Sequence, residues 1–399
     1  MKLKSLNQLT RIFLILLTIG LFHSCESTIE EEIGTDAALN LKSASTNAKS
    51  YIVQIDDQEL NLQLESEKAY QKRTEKVQAV IAKIMKRNGI ADGELGFVYS
   101  TAITGFSVKL PPGQLKKLEA DFAVKHIEED QVITLGPIQT YKVKPPTPPA
   151  QVVPWGITRV GGGVSGNFAT AWVIDSGIDL DHPDLNVDAS GGANFSTDKT
   201  LDDLNGHGTH VAGTIAALNN TVGAIGVAPG AKVVPVKVLN RRGSGSYSAV
   251  IAGVDFVAAH GTSGDVANMS LGGPTSTLLD QAVLNASALV KFSLAAGNEA
   301  DDAANYSPAR VNGTNIYTIS AMDKTDVFAY FSNYGNPPVD YCAPGVSIYS
   351  TYKGGGYATL SGTSMAAPHV AGLLLLGTIH QDGFVIDDPD EIADPIAHK

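Results

Sequence analysis

A chain of 399 residues, 43% of them hydrophobic and 18% charged, is long enough for two domains with a large buried core and is neither collagen-like nor globally disordered in composition. Two cysteines are too few for a disulfide scaffold, and a net charge of −12 excludes a nucleic-acid binder, which needs a basic face to displace counterions. The charge is uneven: 18 Lys and Arg balance 18 Asp and Glu in residues 1–149, whereas residues 150–399 hold 11 and 23, so two differently built parts are expected.

Lys2, Lys4 and Arg11 precede an apolar run over 12–22, too short to cross a hydrocarbon core of ~30 Å as a helix. With the small Ser24 at its end, the segment 1–24 reads as a secretory signal peptide. Cys25 after Ser24 resembles the lipobox of bacterial lipoproteins, which implies acylation of Cys25 and a membrane link through that lipid alone. Plain secretion and an uncleaved anchor are the alternatives. Residues 25–49 are polar and aperiodic, as a tether would be.

Residues 50–136 alternate in type. Strands are expected over 51–56, 105–110 and 124–135, and helices over 65–88 and 111–122, the first with Val77, Val80, Ile81 and Ile84 on one stripe. That order describes a small α+β plait of ferredoxin-like kind. Pro145, Pro146, Pro148 and Pro149 stiffen a linker over 137–153.

From 154 to 399 apolar runs alternate with glycine-bearing turns and helices. Strands are expected over 171–174, 233–239, 266–271 and 292–296, and helices over 207–218, 247–259, 278–290 and 363–379. Strands apolar on both faces and separated by helices form a mainly parallel sheet covered on both sides, an α/β three-layer sandwich. Such folds place chemistry beyond the carboxyl ends of their strands. Asp175 ends one strand, Asn298 follows another, and His207 and Ser364 open helices. Singly, these are a turn Asp, a loop Asn and helix caps; together, an acid, a base, a nucleophile and an amide donor compose a nucleophilic site.

The segments VIDSGIDLDHPDL (173–185), NGHGTHVAGTIAALNN (205–220), NMSLGG (268–273), AAGN (295–298) and GTSMAAPHVAG (362–372) resemble, in order and spacing, the subtilisin family of serine peptidases. The resemblance implies the subtilisin-like fold, with Asp175, His207 and Ser364 as a catalytic triad and Asn298 as oxyanion donor. It implies that Gly245 and Ser270, Leu271 and Gly272 clamp an extended peptide, that Ala295, Ala296 and Gly297 wall the first specificity pocket, and that Asn305 lies near its floor. Small walls imply a roomy, apolar-leaning pocket and broad specificity for protein substrates.

The resemblance also implies a structural Ca²⁺ held by Asp184, the Asn220 side chain, the carbonyls of Leu218, Val222 and Ala224, and Gln151, all hard oxygen donors. A second ion is expected near the Pro308 carbonyl and Asp323. No catalytic metal is expected: His207 and His210 are three apart on a helix, but no Glu-flanked zinc pattern surrounds them. Cys342 is expected as a buried small hydrophobe, and Met365 beside the nucleophile as a site of peroxide sensitivity.

YIVQ, GFSVKL and HIEEDQV resemble the family's inhibitory propeptide, so residues 50–136 are expected to inhibit intramolecularly, with the mature chain starting between about 136 and 150. The chain departs from the family after the Ser364 helix, ending early in the acidic DDPDEIADPIAHK, so closure of the last layer is open. The sequence thus describes a monomeric, exported serine endopeptidase made as a zymogen. A non-catalytic envelope protein and a peptide ligase or cyclase using the same acyl-enzyme are the competing functions.

Overall fold

Residues 48–56, 58–91, 94–136, 141–143 and 149–399 are described by a computed structural model; the expected signal peptide, Cys25 and nearly all of the tether lie outside them. The first part comprises β1 (Lys49–Ile55), α1 (Gln58–Glu65), α2 (Tyr70–Asn88), β2 (Leu95–Tyr99), β3 (Gly105–Leu110), α3 (Pro112–Glu119) and β4 (Val124–Glu129). Its strands make one antiparallel sheet in the order β2-β3-β1-β4. Val77, Ile81 and Ile84 of α2 are buried among the side chains of this small domain. The expected helix over 65–88 starts only at Tyr70. Arg73 explains the break: it donates to the Leu64 and Glu67 carbonyls at 2.5 and 3.2 Å and so satisfies the end of α1.

The strand expected over 124–135 is also broken, into β4 and β5 (Val132–Thr134). Asp130, between them, turns to the larger domain, accepting from the Ser248 backbone at 2.9 Å and its hydroxyl at 2.7 Å.

The larger part continues with β6 (Tyr141–Val143), α4 (Trp155–Arg159), β7 (Ala171–Asp175), β8 (Ala193–Asn194), α5 (His207–Ala216), β9 (Val233–Lys237), β10 (Ser244–Ser246) and α6 (Tyr247–His260). Then come β11 (Val266–Met269), β12 (Gly273–Pro274), α7 (Thr277–Ala286), β13 (Lys291–Ala295), β14 (Tyr306–Ser307), β15 (Ile316–Met322) and β16 (Val339–Pro344). The chain finishes with β17 (Ile348–Tyr352), β18 (Gly356–Leu360), α8 (Thr363–Leu376), β19 (His380–Phe384) and β20 (Pro395–His398).

Nine strands form the central sheet in the order β19-β20-β16-β15-β13-β11-β7-β9-β8, parallel except for the β19–β20 edge. Alternate residues of β7 explain the two covered faces. Ala171 and Val173 pack with α5 and α8, whereas Trp172 and Ile174 pack with α6 and α7. The sheet is therefore the middle of three layers, and the carboxyl ends of β7, β11 and β13 all open on one rim.

The C-terminal segment joins the central sheet through β20. Ile396 pairs beside Cys342 of β16, and the two pack with Met322, Phe328 and Val385 in a satellite core. Cys342 is buried, as expected, and has no disulfide partner among the described residues.

Residues 47–399 form one compact unit, and carboxylates join its two parts. Glu128 meets the start of α7 through the Ser276 hydroxyl and the Leu278 backbone, and Asp130 meets the start of α6, both at helix ends that favour negative charge. In the other direction, Asp255 of α6 accepts the backbone N–H groups of Ser100, Thr101 and Ala102 at 2.7–3.1 Å; burial pushes its carboxyl up to about 6.

If β20 completes the core, Ile396→Ala costs about 2–5 kcal/mol of unfolding free energy, as for other buried large-to-small changes. Chemical denaturation measures it, and a midpoint equal to that of the parent contradicts the closure.

Candidate active site

Asp175 is the last residue of β7 and is fully buried. His207 is the first residue of α5, preceded by Gly206 at φ +108°, a left-handed conformation that suits glycine. A Cβ at Gly208 would lie 2.1 Å from the Gly177 carbonyl and 3.2 Å from Asp175, so only glycine lets the helix start abut the strand end. That approach brings His207 Nδ1 to 2.9 Å from each Asp175 oxygen. Nδ1–H donates to the carboxylate, which leaves Nε2 bare and able to take a proton.

Asp203, which the sequence reading passed over, holds this loop. Its buried carboxylate accepts from Gly206 N (2.8 Å), Thr209 N (3.0 Å) and the hydroxyls of Ser176 and Thr209. It serves donors that the start of α5 would leave unpaired, and an acid shortly before a helix-opening glycine was the available signal. Burial disfavours a charged imidazole, but the charge and hydrogen bond of Asp175, with Asp203 behind, outweigh it and raise the His207 pKa above 6.5. His210, three residues on, is held by backbone. Its Nε2 donates to the carbonyls of Ile348 and Ala358 at 3.0 and 3.2 Å, and burial lowers its pKa to about 3.

Ser364 is the second residue of α8 and lines the same cleft, of about 610 Å³, as His207 and Asn298. Its hydroxyl donates to the Ser270 carbonyl at 3.2 Å. Ser270 also donates through its own hydroxyl to the Ser364 carbonyl at 2.8 Å, so it braces the start of α8. The Asn298 side-chain oxygen accepts from the Thr363 backbone at 2.8 Å and the Thr363 hydroxyl at 3.1 Å. Tied at that end, the amide leaves its NH₂ as the group free to donate. The Thr363 tether was invisible in sequence because it spans 65 residues.

The tail of the small domain runs into this cleft. Thr134, Ile133 and Val132 pair antiparallel with Ser244, Gly245 and Ser246, Leu135 N donates to the Gly243 carbonyl at 2.9 Å, and 134–136 line the cleft. Ser270, Leu271, Gly272, Ala295, Ala296 and Gly297 line it too. Asn305 does not: it is exposed, and its amide donates to Asp301 at 3.3 Å. Tyr306 and Ala309 of the same segment face the cleft instead. A short 3₁₀ turn over Ala303–Asn305 carries Asn305 outward. Glu299 also lines the cleft, so it has a charge on its wall that the small-residue reading did not anticipate.

The expected calcium ligands come together in part. Gln151 Nε2 lies 2.8 Å from the Leu218 carbonyl, 3.4 Å from Asn220 Oδ1 and 3.4 Å from the Ala224 carbonyl, so three oxygens converge on one point. The buried Asp184 carboxylate adjoins them, accepting from Asn220 Nδ2 at 2.7 Å and Ala224 N at 3.1 Å. Val222 N donates to Asn220 Oδ1 at 2.7 Å and shapes the same turn. A converging set of hard oxygens beside one carboxylate fits Ca²⁺. The donors expected for a second ion are engaged locally. The Pro308 carbonyl accepts from Val311 N, and Asp323 caps the turn to Thr325.

These features define a serine peptidase on an α/β scaffold, and comparison with known proteins agrees. The profile of the Subtilase family matches residues 170–383 and that of Peptidase inhibitor I9 matches residues 50–136. The chain is 42% identical over 304 residues to alkaline serine exoprotease A of Vibrio alginolyticus, covering 73% of this chain and 54% of that one. It is 44% identical over 279 residues to the alkaline protease of Shouchella clausii, covering 68% of each. It is 40% identical over 309 residues to subtilisin E of Bacillus subtilis strain 168, covering 73% and 74%. The crystal structure of a cold adapted subtilisin-like serine proteinase superposes with a TM-score of 0.54 at 39% identity, covering 61% of this chain and 97% of that one. The chain belongs to the subtilase family, with an inhibitor-type propeptide domain ahead of its peptidase domain.

If His207 serves as a general base it must be neutral, and activity then falls as pH drops through its pKa. Nitrogen NMR of the full chain carrying Ser364→Ala should place the His207 midpoint above 6.5, and Asp175→Asn should lower it. A midpoint that Asp175→Asn leaves in place contradicts the electrostatic account.

Proposed function

We propose that the chain is an exported endopeptidase, made as a self-inhibited precursor, in which Ser364 is the nucleophile. The observation that carries this reading is the buried Asp175–His207 hydrogen bond in a cleft that also holds Ser364, Asn298 and an extended strand of the chain's own small domain. The Ser364 hydroxyl attacks a peptide carbonyl while His207 Nε2 takes its proton, and Asp175 stabilises the imidazolium. The carbonyl oxygen becomes an oxyanion, which meets the Asn298 NH₂ and the Ser364 N–H, a first-turn amide without an intrahelical acceptor. His207 then protonates the leaving amine, and water, activated the same way, releases the acyl group.

Substrates bind as residues 132–136 do, adding a strand along Gly245, with Ala295, Ala296 and Gly297 beside the reacting carbon. The scissile bond of self-processing lies close to residue 136, where the chain crosses the cleft. After the cut the small domain remains as a non-covalent inhibitor, held by β5 and by the carboxylates Glu128, Asp130 and Asp255. Acylated Cys25 anchors only the precursor, because it lies upstream of that bond; maturation frees the peptidase. Every group of the site comes from one chain, so a monomer suffices. A Ca²⁺ at the Leu218, Asn220 and Ala224 oxygens, with Asp184 and Gln151, supplies charge that pins the mature N-terminal segment and takes no part in chemistry.

The parent chain is expected to cut itself near residue 136 and to degrade casein, with Ser364→Ala remaining full length. Self-processing by Ser364→Ala at the parent's rate sinks the assignment. Asn298→Ala should lower kcat about 10²–10³-fold, the range known for the side-chain oxyanion donor of subtilisin, with little change in KM. A chelator should lower the melting temperature of the parent more than that of Asp184→Asn. Equal losses contradict the calcium site.

A further inference from the structure

β9 runs through Val233, Val234, Pro235 and Val236 and then ends on Lys237, whose side chain is fully buried. A lysine beside a core ordinarily lays its stem along apolar surface and leaves its ammonium in water. Lys237 does not reach water, so its ammonium is satisfied inside the protein. It donates to the Ser176 carbonyl and lies 3.4 Å from Asp198, whose side chain is 6% exposed. Asp198 is held in turn by the loop before β10, accepting from Arg241 N at 2.8 Å and Arg241 Nε at 3.1 Å. Burial would raise the Asp198 carboxyl, but the Arg241 hydrogen bonds and the Lys237 charge outweigh it and hold it below its usual range.

A buried ion pair is weak evidence for stability, because desolvation offsets most of the attraction and apolar side chains of the same volume often serve as well. The place of the ammonium gives it another use. Lys237 stands beside Asp175 in the parallel register of β9 and β7, yet its ammonium bonds the next residue, Ser176. Every polar group of Ser176 is engaged. Its N–H donates to Asp175 Oδ1 at 2.6 Å, and its hydroxyl donates to Asp203 at 2.9 Å and accepts from Gly208 N at 3.0 Å. Its carbonyl takes the ammonium. Asp203 and Gly208 thus fix Ser176 from the side of α5, which carries His207, and Lys237 fixes it from the sheet. The chain turns at once at Gly177, φ +98°, where a glycine lets the preceding peptide swing unless its carbonyl is held.

We propose that Lys237, held by Asp198, is a positioning residue for the peptidase reaction: by pinning the Ser176 carbonyl it keeps the Ser176 N–H on Asp175, and the Asp175 carboxylate in place for His207 Nδ1. It acts through Ser176 and not on the reacting atoms. The inference rests on Asp175 and His207 being the acid and base of that reaction. Through Arg241 the same clamp reaches the loop leading into β10, so the strand end that carries the acid and the edge that accepts an extended segment share one anchor.

The test compares the full chain carrying Ser364→Ala with the same chain carrying Lys237→Met/Asp198→Asn as well. The added pair removes both charges together, so the net charge behind the strand end is unchanged and no buried ion is left unpaired. Nitrogen NMR should show the His207 midpoint falling by about one pH unit, toward that of Asp175→Asn, as the Asp175 hydrogen bond loosens. With Ser364 restored, the pair should lower kcat about ten- to a hundredfold and leave KM nearly unchanged. A midpoint that stays in place or rises overturns the proposal whatever the rate does, and so does an unchanged kcat. The NMR arm needs no activity, so a failure of Lys237 to position Asp175 is told apart from a failure of the peptidase assignment, which Ser364→Ala reads. If the added pair prevents folding, the Ser364→Ala chain decides by itself. Its Lys237 Nζ and Ser176 carbonyl-carbon resonances should titrate with the His207 midpoint, and resonances indifferent to that titration overturn the proposal.

Discussion

A carboxylate sits at the end of a central strand, out of water, and an imidazole must stay beside it. Burying Asp175 is tolerable only because the Ser176 backbone and His207 Nδ1 donate to it at 2.6 and 2.9 Å. Much of the surrounding architecture serves this contact. The parallel sheet fixes where β7 ends, glycine at 208 lets α5 start against it, and Asp203 ties down the loop between them. Lys237, fully buried on the neighbouring strand, donates to the Ser176 carbonyl and lies 3.4 Å from Asp198, so the strand end is braced from behind.

The same rim explains how one chain both builds and blocks its site. The edge at Ser244–Ser246 accepts an extended segment as an added strand, and the tail at 132–136 is such a segment, at very high effective concentration. Its hold is strengthened away from the cleft by carboxylates exchanged in both directions. Asp255 shows the mutual character of this docking. In the joined molecule its charge is met by three propeptide amides, and once the propeptide leaves, the carboxylate returns to water.

Much of this was legible in the sequence because the physics is local. Strands buried on both faces read as β-branched runs, helices open on glycine or serine, and Asp175, His207, Asn298 and Ser364 stand at element ends where a parallel sheet puts reactive groups. What stayed hidden depends on distant partners. Thr363 orients Asn298 and Ser270 braces Ser364 across 65 and 94 residues, and nothing near either position in the chain announces it. The resemblance puts Asn305 near the pocket floor, whereas a short 3₁₀ turn carries it outward and Tyr306 and Ala309 line the cleft. The edge strands β19 and β20 lack an apolar run long enough to stand out, and their place follows from pairing with β16.

The account stands or falls on whether the Ser364 hydroxyl is activated by the His207–Asp175 pair. Mass spectrometry after a short exposure of the processed protein to a fluorophosphonate reads this directly. The account predicts one adduct, on Ser364, formed fast in the folded protein and lost on prior denaturation or in His207→Ala. An adduct on another residue, or labelling of Ser364 at the same rate without His207, would contradict it.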